Sequence, residues 1–259
     1  RRRRARPDHD RPPAAPAGSV GQRGGDARRG LRLSRLPAGY PDLVDEQGFF
    51  CAGYKTLLKA SFLPWEARRY KEQIKTELKS QIDRCLPYYP ATKGIRIDSH
   101  RHFHMIPIVF DSLAELIKEE RYPVESIRII RERSGYYRRF RKFEYFRPVN
   151  IIKAVLLNFL GLIDSKRQPA LYRKATADFA SILFSGCMTR QNVLLLLENM
   201  SGAGRPHADL ELMFHPGAVS EPADLARIHD REDASYMSDE MRYREKAAVM
   251  SHYGLQGGS

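Results

Sequence analysis

The stretch GIRIDSHRHFHMIP, residues 94–107, decides the fold expected of this chain. Ile95 and Ile97 alternate with polar neighbours, which is typical of a half-buried strand. Alternate side chains of a strand point to one face, so Asp98 and the histidines at every second position after it are expected to begin on a common face. Pro107 stands where helices accept proline, near the first turn. The pattern predicts a strand, a short turn and then a helix.

The polar residues of this stretch, Asp98, His100, His102 and His104, also suggest chemistry. A carboxylate and several imidazoles that converge are suitable ligands for a divalent metal ion such as zinc. The carboxyl end of a strand, where the chain turns into a helix, is where α/β enzymes place their active sites. The alternative interpretation is a polar strand end whose histidines cap and hydrogen-bond the backbone.

Predicted strands and helices alternate along the rest of the chain. Apolar residues at helical spacing predict helices at 65–86, 109–117, 149–160, 190–200 and 241–250; shorter apolar runs predict strands at 94–98, 126–131 and 210–214. Thr189 is a suitable N-cap for the fourth of these helices. This alternation favours a βα-repeat with a largely parallel sheet.

The first 40 residues differ in composition from the rest of the chain. Residues 1–36 contain eleven Arg and three Asp, and so carry +8 of the net charge of +13. Such a segment cannot bury enough apolar surface to offset the entropy of ordering, and we expect residues 1–40 to be disordered. Residues 41–253 are expected to form one α/β domain. Its modest charge is not a nucleic-acid signal.

The cysteines and the apolar runs indicate a compartment. Cys51, Cys85 and Cys187 are odd in number and far apart, which argues against disulfides and favours a reducing, cytoplasmic environment. We expect all three to be small buried hydrophobic residues. The longest apolar run, residues 151–163, is interrupted by polar residues and is shorter than the ~18 residues of a membrane helix. No membrane partner is expected.

A second histidine motif lies at the end of the last predicted strand. His215 begins the turn His-Pro-Gly and projects from the carboxyl end of its strand. In a parallel sheet this end shares a rim with His100. An imidazole there can donate or accept a proton near pH 7, which makes His215 a candidate catalytic residue. The alternative is a histidine packed at a turn.

Two arginines and an aromatic segment are further candidates. Arg128 or Arg131 could reach the same rim and bind a polar substrate through its planar donors, or each could form a surface ion pair. The segment 136–147 interleaves basic and aromatic residues. It suits a nucleic-acid surface, a loop lining a sugar cleft, or a cover whose aromatic side chains belong to the core.

These motifs together resemble the YdjC-like carbohydrate deacetylases, a family of chitooligosaccharide deacetylases. The strand end DSHRHFH with its following proline, residues 98–107, fits the family pattern throughout. The family's upstream LVDxxGxF segment is matched by residues 43–50, and its helical ELxxQI by residues 77–82. The turn at 215–217 and a late RxxE helix, residues 242–245, come next in the family's order. The resemblance covers roughly residues 40–250.

The resemblance implies a distorted, incomplete (β/α) TIM-like barrel and metal-dependent removal of N-acetyl groups from amino sugars or short chitin-type oligosaccharides. His100 maps to a ligand of the divalent metal ion, Mg or Zn. His215 maps to the group that protonates the leaving amine. His102 and His104 are implied to lie beside the metal or the substrate, and Arg131 is our candidate substrate-binding arginine. A small carbohydrate and a second copy of the chain are the partners considered.

Two family elements are absent from this sequence. The Ala-Asp-Asp-Phe-Gly strand, which supplies the base and a metal ligand, and the Gly-x-His strand, which supplies another ligand, have no match upstream of residue 43. The Arg/Gly/Ala-rich composition of residues 1 to about 40 is what a GC-rich gene gives when read out of frame, so this segment is expected to be out of frame or to come from a truncated gene. We expect impaired or absent hydrolysis. The alternative is a non-catalytic protein that binds carbohydrate, or nucleic acid through its basic tail and residues 136–147.

Overall fold

The structure, a computed structural model, describes residues 42–45, 50–90, 92–137, 147–175, 177–201, 209–216, 219, 221–226, 234–235 and 237–252. The segment 1–40, for which disorder is predicted, lies outside these ranges.

Helices and short parallel strands alternate through the described residues. In chain order they are α1 Tyr54–Ala60, α2 Pro64–Cys85, β1 Ile95–Ile97, α3 Pro107–Glu120, β2 Val124–Ile127, α4 Pro148–Arg167, α5 Pro169–Tyr172, β3 Ala177–Ala180, α6 Arg190–Ser201, β4 Asp209–Leu212, α7 Pro222–Leu225 and α8 Met241–His252. Short 3-10 segments occur at Leu86–Tyr88, His100–Met105 and Ser134–Tyr137.

Local sequence signals explain where the long helices begin. Pro64, Pro107 and Pro148 each occupy the first turn of a helix, where a missing N–H costs no hydrogen bond. The Thr189 hydroxyl accepts a hydrogen bond from the Asn192 N–H at 3.4 Å, which confirms the predicted N-cap of α6. The five predicted helices are all present, with ends that differ by three residues or fewer except at α4, which continues seven residues beyond its predicted end.

The strands form two parallel pairs. β1 pairs with β2 and β3 pairs with β4. The Ile127 N–H donates to the Lys174 carbonyl at 3.4 Å, and Lys174 Nζ donates to the Val124 carbonyl at 2.6 Å, so the two pairs are joined between β2 and the start of β3. The parallel α/β arrangement is confirmed. The described residues do not form a closed barrel.

Strand lengths and one strand differ from the predictions. β1, β2 and β4 are each shorter than the runs predicted for them, and β3 was not predicted. Gly94 precedes β1 at a point where a Cβ atom would lie 2.6 Å from the Pro123 carbonyl oxygen. Only glycine allows this close approach of the two backbones.

The main hydrophobic core lies between the strands and the helices that cover them. It contains Phe110 and Leu113 of α3, Ile127 of β2, Leu157 of α4 and Phe179 of β3. A second cluster joins α1 and α2 to the start of α3, and a third packs α6 against the residues that come after β3. The cores therefore hold the strands in place and leave their carboxyl ends to the polar residues.

The structure corrects two expectations, one about the burial of the cysteines and one about the absence of an apolar run long enough to cross a membrane. Cys51 and Cys85 are exposed, and Cys187 is half-buried, so the expectation of three buried cysteines is wrong. By length and composition α4 is apolar enough to cross a membrane, although 33% of the window that meets this test is buried inside the structure. A single helix of this kind is weak evidence, since core helices pass the same test.

Candidate functional site

The carboxyl ends of β1, β2 and β4 carry an ion-pair network. The guanidinium of Arg128, just after β2, pairs with Asp98, which lies just after β1. Its Nε also donates to Glu211 Oε1 of β4 at 2.8 Å, and its side chain lies over the Phe179 ring at 5.9 Å. Arg128 therefore connects the two strand pairs at one edge of the sheet, which we call the rim. The guanidinium of Arg128 is therefore already paired with two carboxylates of the protein itself.

The segment His100–Met105 does not continue β1. The strand ends at Ile97 and the histidines lie on a 3-10 segment, in which Arg101 (φ 51°) and His102 (φ 58°) adopt left-handed backbone conformations. The prediction that Asp98 and the three histidines start on one face of a strand is therefore wrong. His100 is exposed, whereas His102 and His104 are buried. Left-handed conformations of two consecutive non-glycine residues are costly and cluster at functional sites.

His104 ties the segment to its surroundings through every polar atom of its ring. Its Nε2 lies 2.6 Å from the Arg128 carbonyl oxygen, and because a carbonyl only accepts, Nε2 carries the proton. Nδ1 then accepts from the Ser99 hydroxyl at 2.7 Å, while the His104 N–H donates to the same oxygen at 2.9 Å. Burial lowers the pKa of His104, which keeps the ring neutral. Both nitrogens are occupied by protein partners.

His102 has a buried ring atom with no such partner. Its Nδ1 has no hydrogen-bond partner within the described part of the chain, and its ring packs edge-on against Phe179 with centroids 6.1 Å apart. Burial lowers the pKa of His102 to about 4, and the charge of His104 acts in the same direction. His102 is therefore neutral near pH 7, and its buried Nδ1 can act as a donor or an acceptor only for a group that reaches it inside the protein.

His215 reaches the rim from the other strand pair. Its backbone N–H donates to Glu245 Oε2 at 2.6 Å, and its Nδ1 lies 3.8 Å from the same oxygen. Glu245 is buried in α8, and its Oε1 accepts from the Met188 N–H at 3.2 Å. Burial lowers the pKa of His215; Glu245 opposes this shift, whereas the charge of His100 adds to it. His100 follows β1 and His215 follows β4, so both residues lie just beyond the carboxyl ends of parallel strands.

Arg131 pairs with a buried carboxylate that the sequence did not reveal as a site residue. Its Nη2 lies 3.1 Å from Asp178 Oδ1, and Asp178 also binds Arg133 at 3.3 Å and the Tyr136 hydroxyl at 2.6 Å. Arg128 and Arg131 both form the ion pairs that were the alternative to substrate binding. Asp178 was missed because it lies inside β3, a strand without an alternating pattern.

The metal-site prediction finds incomplete support in the residues present. Within the described ranges, no group of three or more His, Cys, Asp or Glu side chains is arranged to hold a metal ion. Asp98 is engaged by Arg128, His104 by Ser99 and a carbonyl, and His100 and His102 are the imidazoles of this segment that remain. Two imidazoles do not make the three-ligand set of a metalloenzyme. These residues do not fit a resident metal ion by themselves.

The aromatic segment is only partly described. Tyr136 and Tyr137 are buried, and the Tyr137 hydroxyl donates to Glu132, so these two rings belong to the core and offer no exposed face for stacking on bases. The rest of the basic and aromatic segment, residues 138–146, lies outside the described residues.

Comparison with known proteins places the chain in a family. The model of a family described as YdjC-like protein matches residues 26–253. The chain belongs to the YdjC-like family, which confirms the resemblance inferred from its motifs. A carbohydrate deacetylase of Clostridium beijerinckii is 31% identical over 90 residues, which are 35% of this chain and 32% of that protein. The match thus spans about a third of the relative's length.

Proposed function

We propose that the rim is the site at which this chain binds an N-acetylated amino sugar or a short chitin-type oligosaccharide, as a member of a family of metal-dependent carbohydrate deacetylases. The observation that carries the proposal is that His100, His102 and His215 all follow the carboxyl ends of parallel strands, in a chain of the YdjC-like family. The name of the Clostridium relative supports the substrate class. We also propose that the described strands are part of an incomplete (β/α) barrel.

His215 is proposed as the proton donor to the leaving amine. Glu245 holds its backbone N–H and lies close to its Nδ1, which fixes the ring and stabilises its protonated form. His102 is proposed to contact the acetamide through Nδ1, a buried ring atom with no protein partner in the described residues, which the sugar reaches when the ring turns outward. His104 is proposed to position the segment and not to touch the sugar, because both its ring nitrogens are occupied.

Hydrolysis is proposed to be impaired in this chain. A divalent ion, Mg²⁺ or Zn²⁺, would polarise the amide carbonyl and activate water, but the sequence lacks the Asp-Asp and Gly-x-His motifs that supply the base and two ligands. His100 remains as the proposed metal ligand. One imidazole gives weak binding, so sugar binding is expected without efficient turnover.

Isothermal titration of the full chain with di-N-acetylchitobiose, alongside an acetate-release assay with and without Zn²⁺ or Mg²⁺, tests this function. We expect the chain to bind the sugar and to release little or no acetate. Binding should be lost in His102→Ala. It should be retained in the control variant Lys93→Ala, since Lys93 is exposed and precedes the amino end of β1, away from the rim. Absence of sugar binding would sink the proposed site. Efficient metal-dependent acetate release would refute the impairment and leave the substrate class standing.

A further inference from the structure

A groove outside the rim has the features of a sugar-binding surface. It lies between α1 and the first turns of α2, has a volume of about 490 Å³, and is lined by Thr56, Lys59, Trp65, Glu66, Arg69 and Tyr70. Trp65 is the only tryptophan of the chain, and 68% of it is exposed. An exposed indole on a groove wall is a large apolar surface that remains in contact with water.

The groove lies at the same end of the molecule as the rim. α2 and α3 run parallel, because Lys71 pairs with Glu115 at 2.5 Å and Lys75 pairs with Glu119 at 2.7 Å, four residues further along both helices. The start of α2 is therefore level with the start of α3, which comes directly after the histidine segment. Phe103 of that segment packs edge-on against Tyr54 of α1, with ring centroids 5.4 Å apart.

Polar groups surround the indole in an arrangement that suits sugar hydroxyls. Lys59 Nζ and Glu66 Oε1 form an ion pair at 3.0 Å on one side of the groove, and Arg69, which pairs with Asp42, also lines it. Donors and acceptors around an aromatic face match a pyranose ring, whose C–H face is apolar and whose edge carries hydroxyls. Charged side chains around the indole also disfavour a purely apolar ligand.

We propose that this groove is an accessory subsite that binds non-reacting sugar units of an oligosaccharide whose terminal acetamido sugar occupies the rim. The inference rests on the function proposed for the rim. Stacking on Trp65 adds binding energy far from the reacting bond. Longer oligosaccharides therefore bind more tightly than the disaccharide, and they change the environment of the indole.

The single tryptophan makes the test direct. The full chain is titrated with N-acetylglucosamine oligomers from the dimer to the hexamer, with intrinsic fluorescence and calorimetry measured together. We expect affinity to rise with length, the emission of Trp65 to shift only with the longer oligomers, and Trp65→Ala to weaken hexamer binding roughly tenfold while leaving dimer binding unchanged. Tyr88→Ala, at another highly exposed aromatic residue, is the matched control.

The outcomes separate the two proposals. Dimer binding with no gain in affinity for longer oligomers, or an unchanged hexamer affinity in Trp65→Ala, overturns the subsite and leaves the rim. No binding of any oligomer overturns the rim function and the subsite with it. An indole that acrylamide cannot quench in the sugar-free chain is covered by another part of the protein, which also overturns the subsite.

A separate observation concerns the outward face of α4. Ile151, Ile152, Val155, Phe159 and Leu162 are each between 41% and 67% exposed, while Ala154, Leu157 and Leu160 face the core. The exposed side chains form an apolar patch on the order of 500 Å², near the upper end of the largest patches found on monomeric proteins. Nothing in the part of the chain that the structure describes covers this patch.

We infer that a second copy of the chain covers this face. Ile152, Val155, Phe159 and Leu162 are separated by three, four and three residues, the spacing of a helix-pair seam. This spacing is the same when read in either direction, so an antiparallel copy places Ile152 opposite the partner's Leu162. Such self-complementarity is what a two-fold interface requires. Both copies together bury about 1,000 Å², the lower limit for a specific interface.

Sedimentation equilibrium of the full chain tests the dimer. We expect a dimer that becomes a monomer in Val155→Lys and remains a dimer in Leu194→Lys, a control on an exposed residue of α6, with circular dichroism confirming that both variants fold. A monomeric parent chain, or a dimeric Val155→Lys variant, overturns the inference. Flotation of a monomeric parent chain with phosphatidylcholine–phosphatidylserine vesicles would assign the face to lipid instead.

Discussion

The two strand pairs hold their rim histidines in different ways. On the β1–β2 pair, His104 is bound by Ser99, five residues away, and by a carbonyl of the neighbouring strand. On the β3–β4 pair, His215 is held by Glu245, which lies 30 residues further along in α8. The first arrangement depends on local backbone, the second on the docking of a distant helix. The second should therefore be far more sensitive to the loss of one side chain.

Replacing Glu245 with alanine is expected to give the largest loss of stability. The carboxylate is fully buried and accepts hydrogen bonds from the backbone of Met188 and His215. Its removal leaves a buried N–H at Met188 and a partly buried N–H at His215 without an acceptor, which costs about 3–5 kcal/mol of unfolding free energy. Urea denaturation measures this. Glu240→Ala, at an exposed residue of the same region, should change the free energy by less than about 0.5 kcal/mol.

Equal unfolding free energies of Glu245→Ala and Glu240→Ala would show that Glu245 of α8 does not hold the turn at His215. Glu245→Gln distinguishes hydrogen bonding from shape, since its amide keeps one acceptor oxygen and nearly the same volume. We expect it to fall between the parent chain and the alanine variant. A glutamine variant as unstable as the alanine variant would indicate that the charge matters more than the geometry.

Arg128 connects the two strand pairs, and its loss is expected to have an intermediate effect. The side chain pairs with Asp98 and Glu211, both partly exposed, so solvent screens much of the interaction. Arg128→Ala should lower the unfolding free energy by about 1–2 kcal/mol, whereas Arg96→Ala, which removes an exposed pair with Glu125, should lower it by less than about 0.5 kcal/mol. If the two variants lose the same amount, the connection between the pairs contributes no stability.

Most of the helices could be predicted because their evidence is local. The apolar spacing of α2 and α3 and the prolines at their starts are visible in the sequence. β3 could not be predicted, since Asp178 and Phe179 are adjacent and both buried, and such a strand has no alternation. The alternation of strands and helices was predicted apart from β3, and the four short strands of the described residues form two parallel pairs and no closed barrel.

Candidate residues of the site could be named from the sequence, whereas their geometry could not. The motifs identified His100 and His215, and the resemblance pointed to the helix that contains Glu245. The left-handed conformations of Arg101 and His102 were not predictable, because neither residue is glycine or asparagine and their cost is met by contacts distant in sequence, such as the edge-on packing of His102 on Phe179. For the same reason the burial of His102 and His104 was not foreseen.

The smallest expected effect is a pH dependence that His102 confers on the β1–β2 side. Its pKa of about 4 in the folded chain lies below the ordinary value of 6.5, so between these values the unfolded chain binds a proton that the folded chain does not. The unfolding free energy should therefore fall as the pH is lowered into this window, by about 0.7 kcal/mol between pH 7 and pH 6 from this group. Urea titrations at several pH values measure the slope. His102→Asn, which accepts a left-handed backbone and does not titrate, should have a shallower slope than the parent chain. An unchanged slope in His102→Asn would contradict this assignment. It would mean that the pH dependence of stability comes from His104 or His215, whose pKa values burial also lowers. Single substitutions at these two positions would then show which strand pair is the more sensitive to acid.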